Sequence, residues 1–550
     1  MNTLIVAAIR CSLILLVPAA YAGSGQWDLN PTSGDWDAAA NWTPATVPNG
    51  PADIATFDFS KTTDVSVSED TEVNGITFTS AARNAYAITA TQFTVTISGV
   101  GIINNSRTTQ HFVSNGGEAV NGEFGSIRFT NNATAGSSAT FTNNHGINNF
   151  FGGITLFSDT STAGSAMFIN NNGTVGGDQF QGETDFFDSS TAGHGTFINN
   201  GSTTSNVYNG GSTVFLDTSS AGNAMITNNG GAAIDAGGCL MYFANSSTAA
   251  SATIVNNGGT ASGATGGVTA IGVFASDTAT AASATLIANG GTGGGNGGKI
   301  SFIGNSSGGT SQIEVFGNGT LDISLHNSPG VTVGSIEGEG DVFLGANNLI
   351  VGSNNLSTAF AGVIDDGDLG GSLTKIGTGM LDLTGINTYT GDTNVNDGVL
   401  QIDGSITSNT FVNDDGTLAG SGTVNGAVTN NDSGTIIPGG ALGVPGVLTI
   451  GSTYTQVPTA ALVIQIGRSN GSQASVLDVR ASASLHGYLE PVLVNGFVPR
   501  IGQSFTILNY ASHTGSFSHI QNQVFDHGRK RWLLLYLRTS ARLIAVGNGR

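Results

Sequence analysis

The stretch FSDTSTAGSAMFINNNG, residues 157–173, decides the fold, because the chain repeats it along its length. Related copies read FTNNATAGSSATFTNNHG from Phe129, FDSSTAGHGTFINNG from Phe187, FLDTSSAGNAMITNNGG from Phe215 and FANSSTAASATIVNNGG from Phe243. Weaker copies begin at Phe274 and Phe302. The marker alanines are Ala135, Ala163, Ala192, Ala221, Ala249 and Ala281, spaced by 28, 29, 29, 28 and 32 residues. Self-similarity at such a period is the signature of a stacked repeat.

The period has a physical meaning. A strand of about 5 residues with its turn occupies roughly 8–10 residues. Three such pieces make one coil of a parallel β-helix, each coil resting on the next at about 4.8 Å. In Ala166-Met167-Phe168-Ile169, alternate side chains are expected to point inward and stack on Thr196-Phe197-Ile198 of the next coil. The N-N-G that follows reads as a corner, since Asn and Gly tolerate a positive φ. Asn171, Asn200, Asn229 and Asn257 either hydrogen-bond along the axis or serve the turn alone. The expected fold class is all-β, a right-handed parallel β-helix with an N-terminal cap.

Composition supports this reading. Of 550 residues 83 are Gly, and only 10% are charged. Collagen needs Gly at every third position, which is not found here. Disordered chains are rich in charge and poor in β-branched residues, the opposite of this one. The net charge is −21, which excludes a general nucleic-acid binder. Six of the 16 basic residues fall at the end (Arg529, Lys530, Arg531, Arg538, Arg542 and Arg550), so the rest carries −21 − 6 = −27.

Working outward, residues 1–22 read as a cleavable signal peptide. Arg10 supplies the positive charge, residues 11–17 the apolar core, and Ala20-Tyr21-Ala22 the small-x-small site before Gly23. A membrane anchor needs about 20 uninterrupted apolar residues, and no other segment is long enough to span a bilayer. Cleavage removes Cys11 and leaves Cys239 alone, without an internal disulfide. Residues 23–100 hold Trp27, Trp36 and Trp42 and read as an N-terminal cap with the first coils; the alternative is an aromatic platform for carbohydrate. Residues 101–330 carry the 28-residue coils. Residues 331–520 continue the β-helix in another pattern. Residues 521–550 read as a basic C-terminal hairpin or cap, with Trp532, Leu534 and Tyr536 against the last coil; the alternative is a dock for an acidic partner.

At residues 370–406 the chain resembles the autotransporter-associated β-strand repeat. The resemblance lies in Leu373-Thr374-Lys375, Gly377-Thr378-Gly379, Leu381, Leu383, Gly385, Asn387-Thr388-Tyr389-Thr390-Gly391, Thr393, Gly398 and Leu400. The opening, residues 33–58, is similar to the starts of exported proteins carrying that motif. Residues 438–440 (PGG) and 515–517 (GSF) resemble the distal part of passenger domains. The resemblance implies a β-helix of autotransporter passenger type, displayed or released outside the cell, in which the motif helps folding during secretion. It also implies a departure. A translocator barrel takes eight or more strands of roughly 10 residues each, and residues 521–550 offer no such series. Export is therefore expected by another route, or through a separate translocator, or the chain is truncated.

No chemistry stands out. A polysaccharide lyase or hydrolase needs a base beside acidic or calcium sites, or paired carboxylates. Between residues 101 and 330 the basic residues are Arg107, Arg128 and Lys299, in unlike repeat positions. Asp159, Asp188 and Asp217 recur at one turn position and are expected as a row on one edge. Glu183 and Asp185 are close in sequence but have no evident partner. Asp365, Asp366 and Asp368 lack the spacing of a calcium loop. His111, His145, His194, His326, His486, His513, His519 and His527 show no metal spacing, and Cys239 reads as core. No catalytic, cofactor or metal site is expected. The expected function is an exported surface or extracellular protein, bacterial and adhesin-like, with a structural, adhesive or binding role and no catalysis. Its partners would be surface glycans or the surfaces of host or neighbour cells. The alternative is a polysaccharide-active β-helix enzyme.

Overall fold

The computed structural model describes residues 23–117, 123–146, 151–173, 181–440, 443–469 and 472–549. The proposed signal peptide at residues 1–22 lies outside them. Two long sheets run along the molecule. One has 15 strands, from the N-terminal strand pair to Val363–Asp365, and is called the long sheet below. The other pairs strand to strand from Asp64–Ser66 to His519–Ile520. Strands stack on their homologues one coil later, in parallel and in register: Met167 on Thr196, Phe168 on Phe197, Ile169 on Ile198. The chain is therefore a parallel β-helix.

Alternation puts every second side chain inside. Phe129, Phe157, Phe186, Phe215 and Phe243 stack along the inner face of the long sheet, with centroids 4.7, 4.8, 4.7 and 4.7 Å apart. Phe112, Phe141, Phe168 and Phe197 form a second stack at 4.8, 4.8 and 4.7 Å. The stacks meet edge to face, Phe157 against Phe168 at 5.7 Å, a favoured aromatic geometry. The six marker alanines are fully buried. In two copies the aromatic register differs from the sequence reading. Phe186, not Phe187, carries the stack, and Phe274 is half exposed while Ile271 takes the inner position.

The expected third strand of each early coil is not found among the described residues up to Asp322. A single bridge per coil replaces it near the marker alanine, as at Thr162–Thr191–Ser220. The remaining side is glycine-rich turn, bonded coil to coil largely through backbone: Ala232 N–H to Ser202 O at 2.7 Å, Thr260 N–H to Gly231 O at 2.9 Å. A Cβ on Gly237 would lie 2.0 Å from the carbonyl oxygen of Tyr208. Only glycine lets the coils come that close. From Gly330–Val333 onward a third, nine-stranded sheet takes the place of the bridge row, between the long sheet and the other, and the coil has three strands.

Both ends are covered. At the N-terminus Gly25–Trp27 pairs antiparallel with Trp42–Thr43. Trp27, Trp36 and Trp42 are 1, 0 and 1% exposed, packed edge to face on one another. Each indole N–H reaches a carbonyl: Thr62, Pro48 and Trp36. They seal the end of the core and present no aromatic platform to a ligand. At the other end Lys530–Tyr536 and Ser540–Gly547 form a hairpin on Ser504–Asn509, with Trp532 buried and Leu534 and Tyr536 against the core. Pairing the terminal strands this way leaves few open backbone edges.

Candidate functional site

The inward residues are spent on packing, so recognition falls to outward ones. On the long sheet they form two columns in register. One runs Thr94, Ser126, Ile154, Glu183, Ser212, then Leu240, Val268, Lys299, Thr320. The other runs Thr96, Arg128, Leu156, Asp185, Val214, Tyr242, Ala270, Ser301, Asp322. Eight interstrand steps of about 4.8 Å make this face about 38 Å long.

Three cavities open along it. One of about 400 Å³ is lined by Asp70, Thr94, Phe124, Ser126 and Arg128. A small one of about 60 Å³ lies between Phe124, Phe151, Ile154, Gln181 and Glu183. A third of about 310 Å³ is lined by Leu240, Val268, Ala270, Lys299, Asp322 and Leu325. Phe124 and Phe151 pack at 5.6 Å; Phe124 lines both the first and second cavities, Phe151 the second. In the third, Lys299 Nζ donates to Asp322 Oδ2 at 2.6 Å; burial pushes the Asp322 carboxyl up, and the Lys299 and Ser324 contacts bring it below its ordinary range.

Glu183 and Asp185 share the middle of the face. Burial pushes Glu183 up to about 7, and burial with the nearby Glu183 charge pushes Asp185 up as well. Burial and both carboxyls raise the Tyr242 hydroxyl too. In sequence this pair has no evident partner; the fold adds a shared outward face, a cavity beside Glu183 and the phenol of Tyr242.

The other sequence candidates have structural work. Asp159, Asp188 and Asp217 do form a row, held at positive φ. Each carboxylate accepts the amide of its counterpart one coil earlier, as Asp188 Oδ2 does from Asp159 N–H at 3.0 Å. Cys239 is buried, and burial raises its thiol. Among the described residues, no group of three or more His, Cys, Asp or Glu is placed to hold a metal ion.

Asp366 and Lys375 stitch the repeat at 370–406. Asp366 is buried and accepts five hydrogen bonds: the amides of Asp368, Gly370, Gly371 and Thr390, and the Thr390 hydroxyl. Burial pushes its carboxyl up, but those donors hold it below the ordinary range. Lys375 is buried too, and burial lowers its ammonium to about 8. Its Nζ donates to the carbonyls of Ile376 and Gly377 at 2.8 Å and of Asp397, one coil on, at 3.3 Å. Tyr389 and Thr393 hydroxyls meet at 2.6 Å inside. The conspicuous residues of the motif tie coil to coil.

The corner asparagines resolve into two ladders. Asn144, Asn171 and Asn200 each donate to the Oδ1 of the asparagine one coil earlier, at 2.8, 2.9 and 2.9 Å, and Asn229, Asn257 and Asn289 continue the row. A second ladder, absent from the sequence reading, runs fully buried through Asn143, Asn170, Asn199, Asn228 and Asn256, each bonded to the next at 2.7–2.8 Å. Thr155, Thr184, Thr213 and Thr269 donate to it from the long sheet. The doubled N-N was its only signal.

Residues 373–402 match the passenger-associated-transport-repeat family. Two extracellular serine proteases of Serratia marcescens are similar over short stretches. One is 53% identical over 78 residues, 14% of this chain and 7% of the relative; the other is 52% identical over 49 residues, 9% and 5%. The matches thus span a small part of those proteins. The crystal structure of the Haemophilus influenzae Hap adhesin aligns with 90% of this chain and 64% of its own, at 11% identity and a TM-score of 0.22.

Proposed function

From the premise of an autotransporter passenger-type chain, with its transport repeat at residues 373–402, we propose an exported, adhesin-like binding protein that holds an extended glycan along the outward face of the long sheet. The observation that carries this is the alignment of three cavities on one continuous face. A polymer suits a face of repeating, weak contacts. Apolar patches at Phe151, Leu240 and Tyr242 suit sugar rings, and Arg128, Ser301 and the Lys299–Asp322 pair suit hydroxyls or carboxylates. The basic hairpin at 521–550 and the export route, with or without a separate translocator, stand as parts of the same proposal.

The test is retention on immobilised bacterial and host-cell polysaccharides. Tyr242→Ala and Lys299→Ala should each weaken retention by about tenfold, since each removes a contact worth roughly 1.4 kcal/mol. Met225→Ala, exposed on the other long sheet, should leave it unchanged. Equal retention by all three would refute the groove. The chain-cleaving alternative draws on the carboxyl pair Glu183 and Asp185; it requires new reducing or unsaturated ends on incubation, lost in Glu183→Gln.

A further inference from the structure

We propose that Glu183 and Asp185 hold a divalent cation of the calcium class on the outward face of the long sheet. In the strand Glu183–Phe186, Thr184 and Phe186 point inward, to the asparagine ladder and the phenylalanine stack. Glu183 and Asp185 therefore project from the same outer surface, about 7 Å apart along the strand. Asp185 is only 8% exposed, and its buried Oδ1 has no hydrogen-bond partner. A buried carboxylate oxygen left bare calls for a proton or a positive charge.

Among the described residues, no basic side chain lies beside it. The flanking register positions are Ile154 and Leu156 on one side, Ser212 and Val214 on the other. Arg128 lies two coils away, its Nε on Ser126 Oγ at 3.3 Å. Lys299 lies four coils away and is tied to Asp322. The other groups nearby are oxygen donors. Gln181 lines the small cavity with Glu183. Ser212 Oγ is hydrogen-bonded with Glu183 and donates to Leu240 O at 2.9 Å. Tyr242 is close enough to feel both carboxyls.

An all-oxygen set without imidazole or thiolate selects a hard cation. Its irregular layout suits the loose coordination of calcium better than the strict octahedron of magnesium. The 60 Å³ cavity beside Glu183 has room for the waters that complete the shell. Two carboxylates give a weak site, of the order of 10⁻⁴ to 10⁻³ M, the range of extracellular calcium modules. The raised affinity of both carboxyls for protons agrees with a missing counter-charge; among the described residues the titratable groups near the pair on this face are Tyr242 and, further off, Arg128 and Glu123.

The experiment is terbium luminescence of the full chain, excited through tyrosine, with calcium as competitor and no saccharide present, so that it stands or falls apart from the glycan proposal. The expected result is one high-signal terbium site, displaced by calcium. It should be at least tenfold weaker in Asp185→Asn and in Glu183→Gln, and unchanged in Asp341→Asn, an exposed acid on the same sheet. Binding that is equal in wild type, Asp185→Asn and Glu183→Gln overturns the site, as does absence of any terbium signal at millimolar ion.

Discussion

Asn170 donates from Nδ2 to Oδ1 of Asn199, one coil further on, at 2.7 Å, in the fully buried core. The same rung recurs from Asn143 to Asn256. Asn170, Asn199 and Asn228 are thus both donor and acceptor along the axis, and a buried polar group so satisfied specifies register as well as adding stability.

Asn199→Ala should therefore destabilise the chain by about 3 kcal/mol. It removes the acceptor of Asn170 and of the Thr213 hydroxyl and the donor to Asn228, and orphaned buried groups cost about 1–3 kcal/mol each. Asn200→Ala, in the outer ladder, should cost less than 1 kcal/mol, because water can replace its partners. Denaturant unfolding of both variants checks the contrast.

Lys375→Met should cost about 2 kcal/mol, since three carbonyls lose one shared donor. Asp366→Ala should cost at least as much, as five donors lose their acceptor. Both losses should show in refolding of the residues around 366–397, read by hydrogen exchange, and leave exchange in the early coils unchanged, because coils couple to nearest neighbours.

The metal-free chain should lose stability as pH rises from about 5 to about 8. Glu183 binds its proton more tightly folded than unfolded, about 7 against 4.5. The favourable term is complete below the unfolded value and disappears as pH passes the folded one. Thermal melts should show a flatter slope over this window in Glu183→Gln. A slope equal to wild type would contradict the assignment.

Gly237→Ala should destabilise by about 3 kcal/mol, since its Cβ would collide with the backbone of Tyr208. Gly549→Ala meets nothing within 4 Å and should be silent in the same melt.

Period and alternation made the β-helix legible, because both report directly on which side chains face inward. Phe168 over Phe197 follows from counting. The third side is less legible: a three-strand coil is expected from the period, whereas the early coils reduce the third strand to one bridge near the marker alanine and give the length to a glycine-rich turn. The inner ladder stayed hidden since Asn143 and Asn144 look alike in sequence, and only pleat direction separates core from corner. Glu183 and Asp185 stand out little in the sequence, because their burial and the bare Asp185 oxygen arise from neighbours on other coils.

The long sheet also works as a ruler. Its graduations are set by backbone hydrogen bonds at about 4.8 Å, whatever side chains they carry. A polymer commensurate with that pitch keeps the same phase at every coil. One whose repeat is off by a tenth drifts by about 4 Å over the 38 Å face, nearly a full graduation. Short fragments of the two polymers would bind alike, and long ones would not. Selectivity on such a face therefore grows with the length of what is measured against it.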